Sequence, residues 1–178
     1  MAENPLKKVE EEAGLLEKIM LAVPGFSGYK QKEMRREADR LIRDSLYRRL
    51  KRSKSDLRGA YKQLVERGDT ASSKRMDSLI AKFDKVSWEI NRASYGYSGF
   101  FDAVKIREGD LDSMLAFDLR LVELVKDLGS RTRKFKKMVA DATGESVDEW
   151  IDNLASTIEV IEDAFSERSE AIKGVRLG

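Results

Sequence analysis

The chain has 178 residues, of which 41% are hydrophobic and 37% are charged, with 34 Lys and Arg against 32 Asp and Glu. This composition excludes a disordered chain, and with only two Pro and 12 Gly to interrupt it the sequence favours long helices over strands. Because His and Cys are both absent, zinc sites, His or Cys ligation of haem, disulfides and His-dependent nucleophilic catalysis are excluded.

The chain also lacks the signals of membrane insertion. It has no run of about eighteen apolar residues. The charged stretch from Met1 to Glu12 contains no apolar signal segment. We therefore expect a cytoplasmic protein that does not enter membranes.

Five helices are predicted in chain order, over residues 5–22, 28–67, 70–93, 110–142 and 147–174. Asn4 and Pro5 suit the N-cap and the first position of the first helix, and Pro24 ends it. The second helix carries apolar residues at spacings of three and four. A break between Ser53 and Gly59, where helix propensity is low, is the alternative to one continuous helix.

Polar residues and glycine mark the ends of the later helices. Gly68 ends the second helix and Asp69 caps the third, while Asp110 is expected to cap the fourth. Ser146 and Glu149 have the spacing of a capping box, in which each side chain binds a free backbone amide at the start of the fifth helix.

The last helix carries the most regular apolar repeat, interrupted only by Arg168; its members are Val147, Ile151, Leu154, Ile158, Ile161, Phe165 and Ile172. Such a repeat favours coiled-coil-like packing. Packing within the chain is favoured over an intermolecular seam, because four other apolar stripes also need partners. We therefore predict a single all-α domain over residues 1–178, an elongated antiparallel bundle of four or five helices with coiled-coil character. The predicted core residues are Leu46, Leu50, Leu57, Leu64, Phe83, Ile90, Leu121, Leu128, Leu154, Ile158, Ile161 and Phe165.

Two similar five-residue segments interrupt the helical pattern: Gly25-Phe26-Ser27-Gly28-Tyr29 and Gly96-Tyr97-Ser98-Gly99-Phe100. Their glycines allow the chain to turn. Their aromatic residues are candidates to line a pocket or bind a partner, namely Phe26, Tyr29, Tyr95, Tyr97, Phe100 and Phe101. A structural plug at the end of the core is favoured over an open pocket.

Charge is segregated along the chain. Residues 27–58 contain 12 Lys and Arg against five Asp and Glu, a net charge of +7, whereas residues 141–170 contain one Arg against ten Asp and Glu, a net charge of −9. The basic stretch provides nucleic-acid candidates: Lys30, Arg35, Arg36, Arg40, Arg43, Arg48, Arg49, Lys51, Arg52 and Lys54. The nearly neutral total favours instead a pairing of this helix with the acidic last helix. A homodimer that joins the basic end of one subunit to the acidic end of another is a third alternative.

The acidic last helix raises the question of a magnesium site, since carboxylates one turn apart can hold this ion. Glu159, Glu162 and Asp163 are the candidates. Helical nucleotide pyrophosphohydrolases pair E-x-x-E with E-x-x-D on facing helices; Glu159-x-x-Glu162 matches the first motif, but no convincing partner pair is found on a facing helix. We therefore predict no metal and no cofactor, and keep a magnesium-dependent hydrolase as an alternative.

The segment from Pro24 to Arg43 resembles that of a group of uncharacterised bacterial and archaeal helical proteins. They carry a P-G-[FY]-x-G-Y-K-x-K-E-x-R-R-x-A-D-x-L-x-R segment and a later G-Y-x-G-x-F-D turn, similar to residues 96–102 here. The match covers about thirty residues in two blocks. The resemblance implies that the two turns act together, and it assigns no catalytic residue.

The sequence thus predicts a non-enzymatic interaction or scaffold protein that binds a protein partner or a second copy of itself. The first alternative is nucleic-acid binding through the basic helix over residues 28–58. The second is the magnesium-dependent hydrolase, with the acidic residues of the last helix as its site.

Overall fold

The computed structural model describes residues 5–93, 106–142 and 146–174, and every contact reported below joins residues in these ranges. They form five α-helices: α1 (Pro5–Ala22), α2 (Arg35–Glu66), α3 (Thr70–Arg92), α4 (Glu108–Asp141) and α5 (Val147–Gly174). A 3-10 turn, Lys32–Met34, precedes α2. No helix in these ranges combines the length and the apolar character needed to cross a bilayer. The predicted all-α bundle is confirmed.

The four long helices pack side by side in a ring whose order is α2, α3, α5, α4, and α1 packs on α4. Helices α2 and α3 run antiparallel, since Arg43 near the start of α2 bonds Asn91 near the end of α3. Helices α4 and α5 are also antiparallel, since Arg120 pairs with Glu167 whereas Phe135, further along α4, packs against Trp150 near the start of α5. Helices α2 and α4 are neighbours that run parallel, since Ser53 lies beside Gly129 and Gly59, further along α2, lies beside Lys136, further along α4. In this ring order α2 lies diagonally opposite α5.

All twelve predicted core residues are buried, with at most 8% of any apolar core side chain exposed. Helix α2 is continuous from Arg35 to Glu66 and about 48 Å long at 1.5 Å per residue. The stretch of low helix propensity from Ser53 to Gly59 does not interrupt the helix, because Ser53 and Gly59 pack against α4. Ser53 is buried beside Gly129, and a side chain at Gly59 would contact Lys136.

The predicted start of the second helix at residue 28 is wrong, because the first Gly-aromatic segment holds the chain out of the helix. Gly25 and Gly28 have φ angles of +86° and +89°, which lie outside the region that a right-handed helix uses. Phe26 and Tyr29 are buried, and their rings meet edge to face with centroids 5.5 Å apart. Helix α4 begins at Glu108, two residues before the predicted cap.

The predicted cap of α3 is present, and so is the serine half of the capping box predicted for α5. The Asp69 carboxylate accepts a hydrogen bond from the backbone N–H of Ser72 at 3.0 Å. The Ser146 hydroxyl accepts one from the N–H of Glu149 at 3.3 Å. These bonds satisfy amides that a helix leaves free in its first turn.

A buried ionic network joins the first turn to four helices. Arg168 of α5 is fully buried; its Nε donates to Asp118 Oδ1 of α4 at 2.6 Å, and its Nη2 donates to Asp39 Oδ1 of α2 at 2.8 Å. The Tyr29 hydroxyl donates to Asp118 Oδ2 at 2.6 Å. Arg43 donates to Asp39 Oδ2 at 2.7 Å and to the carbonyl of Asn91 in α3 at 3.0 Å. We call Tyr29, Asp39, Arg43, Asp118 and Arg168 the buried network.

Burial also changes the acidity of this network. It raises the pKa of the Tyr29 phenol well above its ordinary value, and the Asp118 carboxylate raises it further. The phenol therefore stays protonated and keeps donating to Asp118. Burial likewise raises the pKa of Asp118, an effect that the adjacent Arg168 guanidinium opposes.

Replacing Gly28 with Ala should destabilise the protein. The φ of +89° disfavours a side chain, and a Cβ would lie 3.3 Å from Leu16 Cδ1, so we expect a loss of about 1–3 kcal/mol in the free energy of unfolding. Gly14 lies in α1, where a Cβ would meet no described side chain within 4 Å, so Gly14→Ala should stabilise by about 0.5–1 kcal/mol. Urea unfolding of both variants measures the difference, and a loss at Gly14 equal to that at Gly28 would contradict this account.

Arg168→Met should be far more damaging than Arg120→Met, although both remove an arginine that bridges α4 and α5. The first leaves the carboxylates of Asp39 and Asp118 buried without their partner, which costs about 3–5 kcal/mol. The second breaks an ion pair with Glu167 whose side chains are about half exposed, and such pairs contribute at most about 1 kcal/mol. Denaturant titrations would refute the role of the network if the two losses were equal.

Tyr29 should make stability depend on pH in alkaline solution. Its phenol ionises at pH about 10 in the unfolded chain, and at a higher pKa in the folded protein. Between those values the unfolded state releases a proton that the folded state keeps, so the free energy of unfolding falls as pH rises above about 10. Unfolding titrations at pH about 9 and about 11 should show a larger fall for the wild type than for Tyr29→Phe. The same fall in both proteins would be inconsistent with a buried phenol.

Candidate functional site

The predicted nucleic-acid residues divide between the inside and the outside of the bundle. Arg35 and Arg43 are 4% and 6% exposed, and they bond the Tyr29 carbonyl and Asp39 respectively. Their prediction as surface contacts is therefore wrong. Because a helix repeats every 3.6 residues, the inward positions of Asp39 and Arg43 turn the other cations of α2 outward. Exposed or half-buried positions are held by Arg36, Arg40, Arg48, Arg49, Lys51, Arg52 and Lys54.

Two of the exposed cations at or just before the start of α2 form ion pairs with carboxylates. Arg40 donates to Glu37 at 2.8 Å on the same helix. Lys30, ahead of α2, lies 3.7 Å from Glu108 at the start of α4. Both pairs are exposed to solvent, so they contribute little to stability and leave the charges accessible.

Further along α2, a groove of about 800 Å³ runs between the end of α1, α2 and α4. Five cations line it: Arg48, Arg49 and Arg52 from α2, and Lys126 and Arg133 from α4. Asp56 is the one carboxylate among the described lining residues, and it accepts a hydrogen bond from Lys136 at 3.1 Å. The groove therefore carries a strong excess of positive charge.

Three of the five cations of this groove donate hydrogen bonds to neutral oxygen atoms. Arg49 Nη2 donates to the carbonyl of Ala22 at the end of α1 at 2.7 Å. Arg48 Nε donates to the carbonyl of Asp44 at 3.2 Å, and Arg133 donates to the Ser130 hydroxyl at 3.2 Å. Within the described ranges none of the five forms an ion pair, and Lys51 forms none either. We call Arg48, Arg49, Lys51, Arg52, Lys126 and Arg133 the basic surface.

The acidic last helix does not neutralise the basic surface, so the favoured prediction of pairing between the two helices is wrong. The carboxylates of α5 meet α3 instead: Asp148 lies 2.7 Å from Arg75, and Glu162 lies 2.6 Å from Lys85. The cause is the ring order, which places α3 beside α5 and α2 diagonally across the core.

The ion pairs between α5 and α3 also include two of the three carboxylates predicted as magnesium ligands. Glu159 pairs with Lys82 and Glu162 with Lys85, while Asp163 is exposed. Among the described residues, no group of three or more acidic side chains is placed to hold a metal ion. The hydrolase alternative therefore gains no support.

A second groove, of about 340 Å³, lies on the other side of α2, where α2 packs against α3. Its lining residues are Tyr47, Lys51, Lys54, Asp84, Ser87, Trp88 and Asn91. The Trp88 side chain is 58% exposed, and the Arg92 guanidinium lies over its ring, 5.1 Å from the ring centre. We call this the Trp88 groove.

Sequence reasoning did not single out Lys126, Arg133 or Trp88. The two cations of α4 fall in a helix with no marked excess of charge, and only the parallel packing of α2 and α4 brings them to the groove. A signal for Trp88 did exist, because it lies off the stripe that buries Phe83 and Val86. A large aromatic residue on the polar side of a helix is a candidate contact residue.

The aromatic candidates of the first turn do not line an open pocket. Phe26 and Tyr29 are 2% and 1% exposed, and Tyr29 belongs to the buried network, an arrangement that agrees with the favoured plug. Tyr95, Tyr97, Phe100 and Phe101 lie outside the described residues, and the joint action of the two turns stays a prediction.

Comparison with protein-family models, with curated proteins and with solved structures found no match for this chain. The resemblance to the helical group with the P-G-[FY]-x-G-Y-K segment stays a prediction. Function must therefore be argued from the two grooves and their charges.

Proposed function

We propose that this chain is a non-enzymatic nucleic-acid-binding protein and that the basic surface is its contact surface. The observation that carries the proposal is the separation of charge within one bundle. The carboxylates of α5 are matched by cations of α3, whereas the six cations of the basic surface have no carboxylate of their own among the described residues.

The layout of these cations suits an extended polyanion. Arg48 and Arg52 are one turn apart on α2, at about 5–6 Å between their Cβ atoms. Lys126 and Arg133 are two turns apart on α4, about 10 Å along that helix. Cations spread over two parallel helices can follow successive phosphates of a strand. Arginine suits the task because its planar guanidinium can donate two hydrogen bonds to one phosphate.

The sequence predicts an interaction protein of unspecified ligand, with nucleic-acid binding through the basic helix as an alternative. This proposal takes that alternative and names nucleic acid as the ligand. It keeps the predicted cytoplasmic location and does not require a homodimer. A protein partner with an acidic surface would meet the same cations, and direct binding of an oligonucleotide distinguishes nucleic acid from such a partner. The overall charge of +2 is no obstacle, because the field near the groove depends on local charge.

A fluorescein-labelled oligonucleotide of mixed sequence should bind the wild-type protein with an affinity that falls steeply with salt. Each phosphate neutralised by Lys or Arg contributes about 0.7 to the slope of log K against log salt for a single strand. In the triple variant Arg48→Gln, Arg52→Gln, Arg133→Gln the slope should therefore be smaller by about 2. Its affinity at about 50 mM salt should be lower by at least about tenfold. Fluorescence anisotropy between about 50 and about 200 mM salt measures both quantities.

The matched control removes the same three charges from the opposite face, as Arg75→Gln, Lys82→Gln, Lys85→Gln. These side chains contact the carboxylates of α5, so the control should bind the oligonucleotide as the wild type does. An equal loss in both triple variants would show that only net charge matters. Absence of salt-dependent binding in the wild type would rule out the proposal.

A further inference from the structure

We infer that the ligand is single-stranded and that one unpaired base stacks on Trp88 while the basic surface binds the phosphates on either side. The inference rests on the proposed function and adds to it the class of nucleic acid. It depends on the Trp88 groove, which lies on the opposite flank of α2 from the cations of α4.

Core packing does not explain the position of Trp88. The apolar stripe of α3 is complete without it, since Met76, Leu79, Phe83, Val86 and Ile90 are all buried. Its ring nevertheless lies at the surface with more than half of its area exposed. Leaving a large aromatic surface in water is unfavourable, so the position is better explained by a contact that covers the ring.

The ring is also held in place. The Arg92 guanidinium packs over it at 5.1 Å from the centroid, and such cation–π contacts stabilise one orientation of the side chain. Lys54 on the facing wall is fixed by an ion pair with Asp84. A pre-arranged ring loses less conformational freedom when a ligand binds.

The composition of the groove suits a nucleotide. Two aromatic side chains, Tyr47 and Trp88, share it with Lys51, with the ion pair of Lys54 and Asp84, and with the polar side chains of Ser87 and Asn91. Aromatic rings accept bases of any sequence by stacking, and neighbouring cations track the backbone. Its volume of about 340 Å³ falls within the range of small-molecule pockets.

Lys51 belongs to both the Trp88 groove and the basic surface, and it is one residue from Arg52. A strand that crosses α2 at this point would place a base in the groove on one flank and phosphates over the arginines on the other. In a duplex the faces of the bases are stacked inside the helix, so Trp88 could not reach them. The position of the Trp88 groove beside the basic surface therefore favours a single-stranded ligand over a duplex.

The direct test uses the fluorescence of Trp88. The chain contains two Trp, and the other, Trp150, packs against Phe135 in the bundle, so Trp150→Phe leaves Trp88 as the sole Trp. Addition of single-stranded oligothymidylate should quench its emission, and a blunt duplex at equal saturation should not. Equal quenching by both would overturn the inference, as would no quenching by the single strand.

Affinity provides the second readout. Trp88→Ala should weaken binding of the single strand about five- to hundredfold, since stacking on one base has that effect. The ratio of duplex Kd to single-strand Kd should fall accordingly. Trp88→Phe should retain most of the preference because it keeps an aromatic face. Val160→Ala, which truncates an exposed apolar residue on α5, should leave the ratio unchanged.

The two proposals fail separately. If Trp88→Ala binds single strands as tightly as the wild type does, while the salt dependence persists, the stacking contact is refuted and nucleic-acid binding stands. If no oligonucleotide binds, both are refuted.

Discussion

The buried Arg168 is the constraint on which the rest of the structure depends. It occupies a position of α5 that the helical repeat otherwise reserves for apolar side chains, and its guanidinium is completely removed from solvent. A buried charge is tolerated only when its partners are in place. Here the partners come from α2 and α4, with the Tyr29 hydroxyl beside them. No helix of the network can slide or rotate without separating charges that water cannot reach.

The network also decides which face of α2 meets solvent. Asp39 and Arg43 point inward, one toward Arg168 and the other toward the end of α3. The helical repeat then turns Arg48, Lys51 and Arg52 outward, toward the grooves on either side. The buried charges of α2 thus orient its exposed charges, and a single helix combines a structural role with the proposed binding role.

The ring order completes this separation. Since α5 lies next to α3, the carboxylates of α5 form ion pairs with the cations of α3. The α2 cations of the basic surface, across the core, form no ion pairs with the described residues of α5. In a bundle with α2 beside α5, the carboxylates of α5 would lie within reach of the cations of α2. The proposed function is therefore a property of the packing as much as of composition.

The sequence is sufficient for much of the fold. Apolar spacing correctly predicts helix positions and all twelve named core residues, and short polar signals such as Asp69 and Ser146 predict helix starts. The beginning of α2 is missed because two glycines with positive φ delay it. The ring order is not predictable from stripes alone, since each stripe fits more than one neighbour. For that reason the sequence pairs the charged helices wrongly and places Arg35 and Arg43 at the surface.

The interruption of the last heptad by Arg168 is visible in the sequence, but its partners are not. Asp39 and Asp118 lie 129 and 50 residues away, and no local pattern connects residues so distant. The network becomes apparent only once the helices are packed. The basic surface depends on packing in the same way, because two of the five cations that line its groove, Lys126 and Arg133, come from α4.

The central claim is that nucleic acid binds where α2 is left unneutralised, and photo-crosslinking tests it most directly. A single-stranded oligonucleotide carrying photoreactive bases would be irradiated in complex with the full chain, and the modified peptides identified by mass spectrometry. The account predicts crosslinks in the part of α2 that carries Tyr47 to Lys54 and at Trp88 of α3. Crosslinks concentrated on the face where α3 and α5 exchange ion pairs, with none on α2, would contradict it.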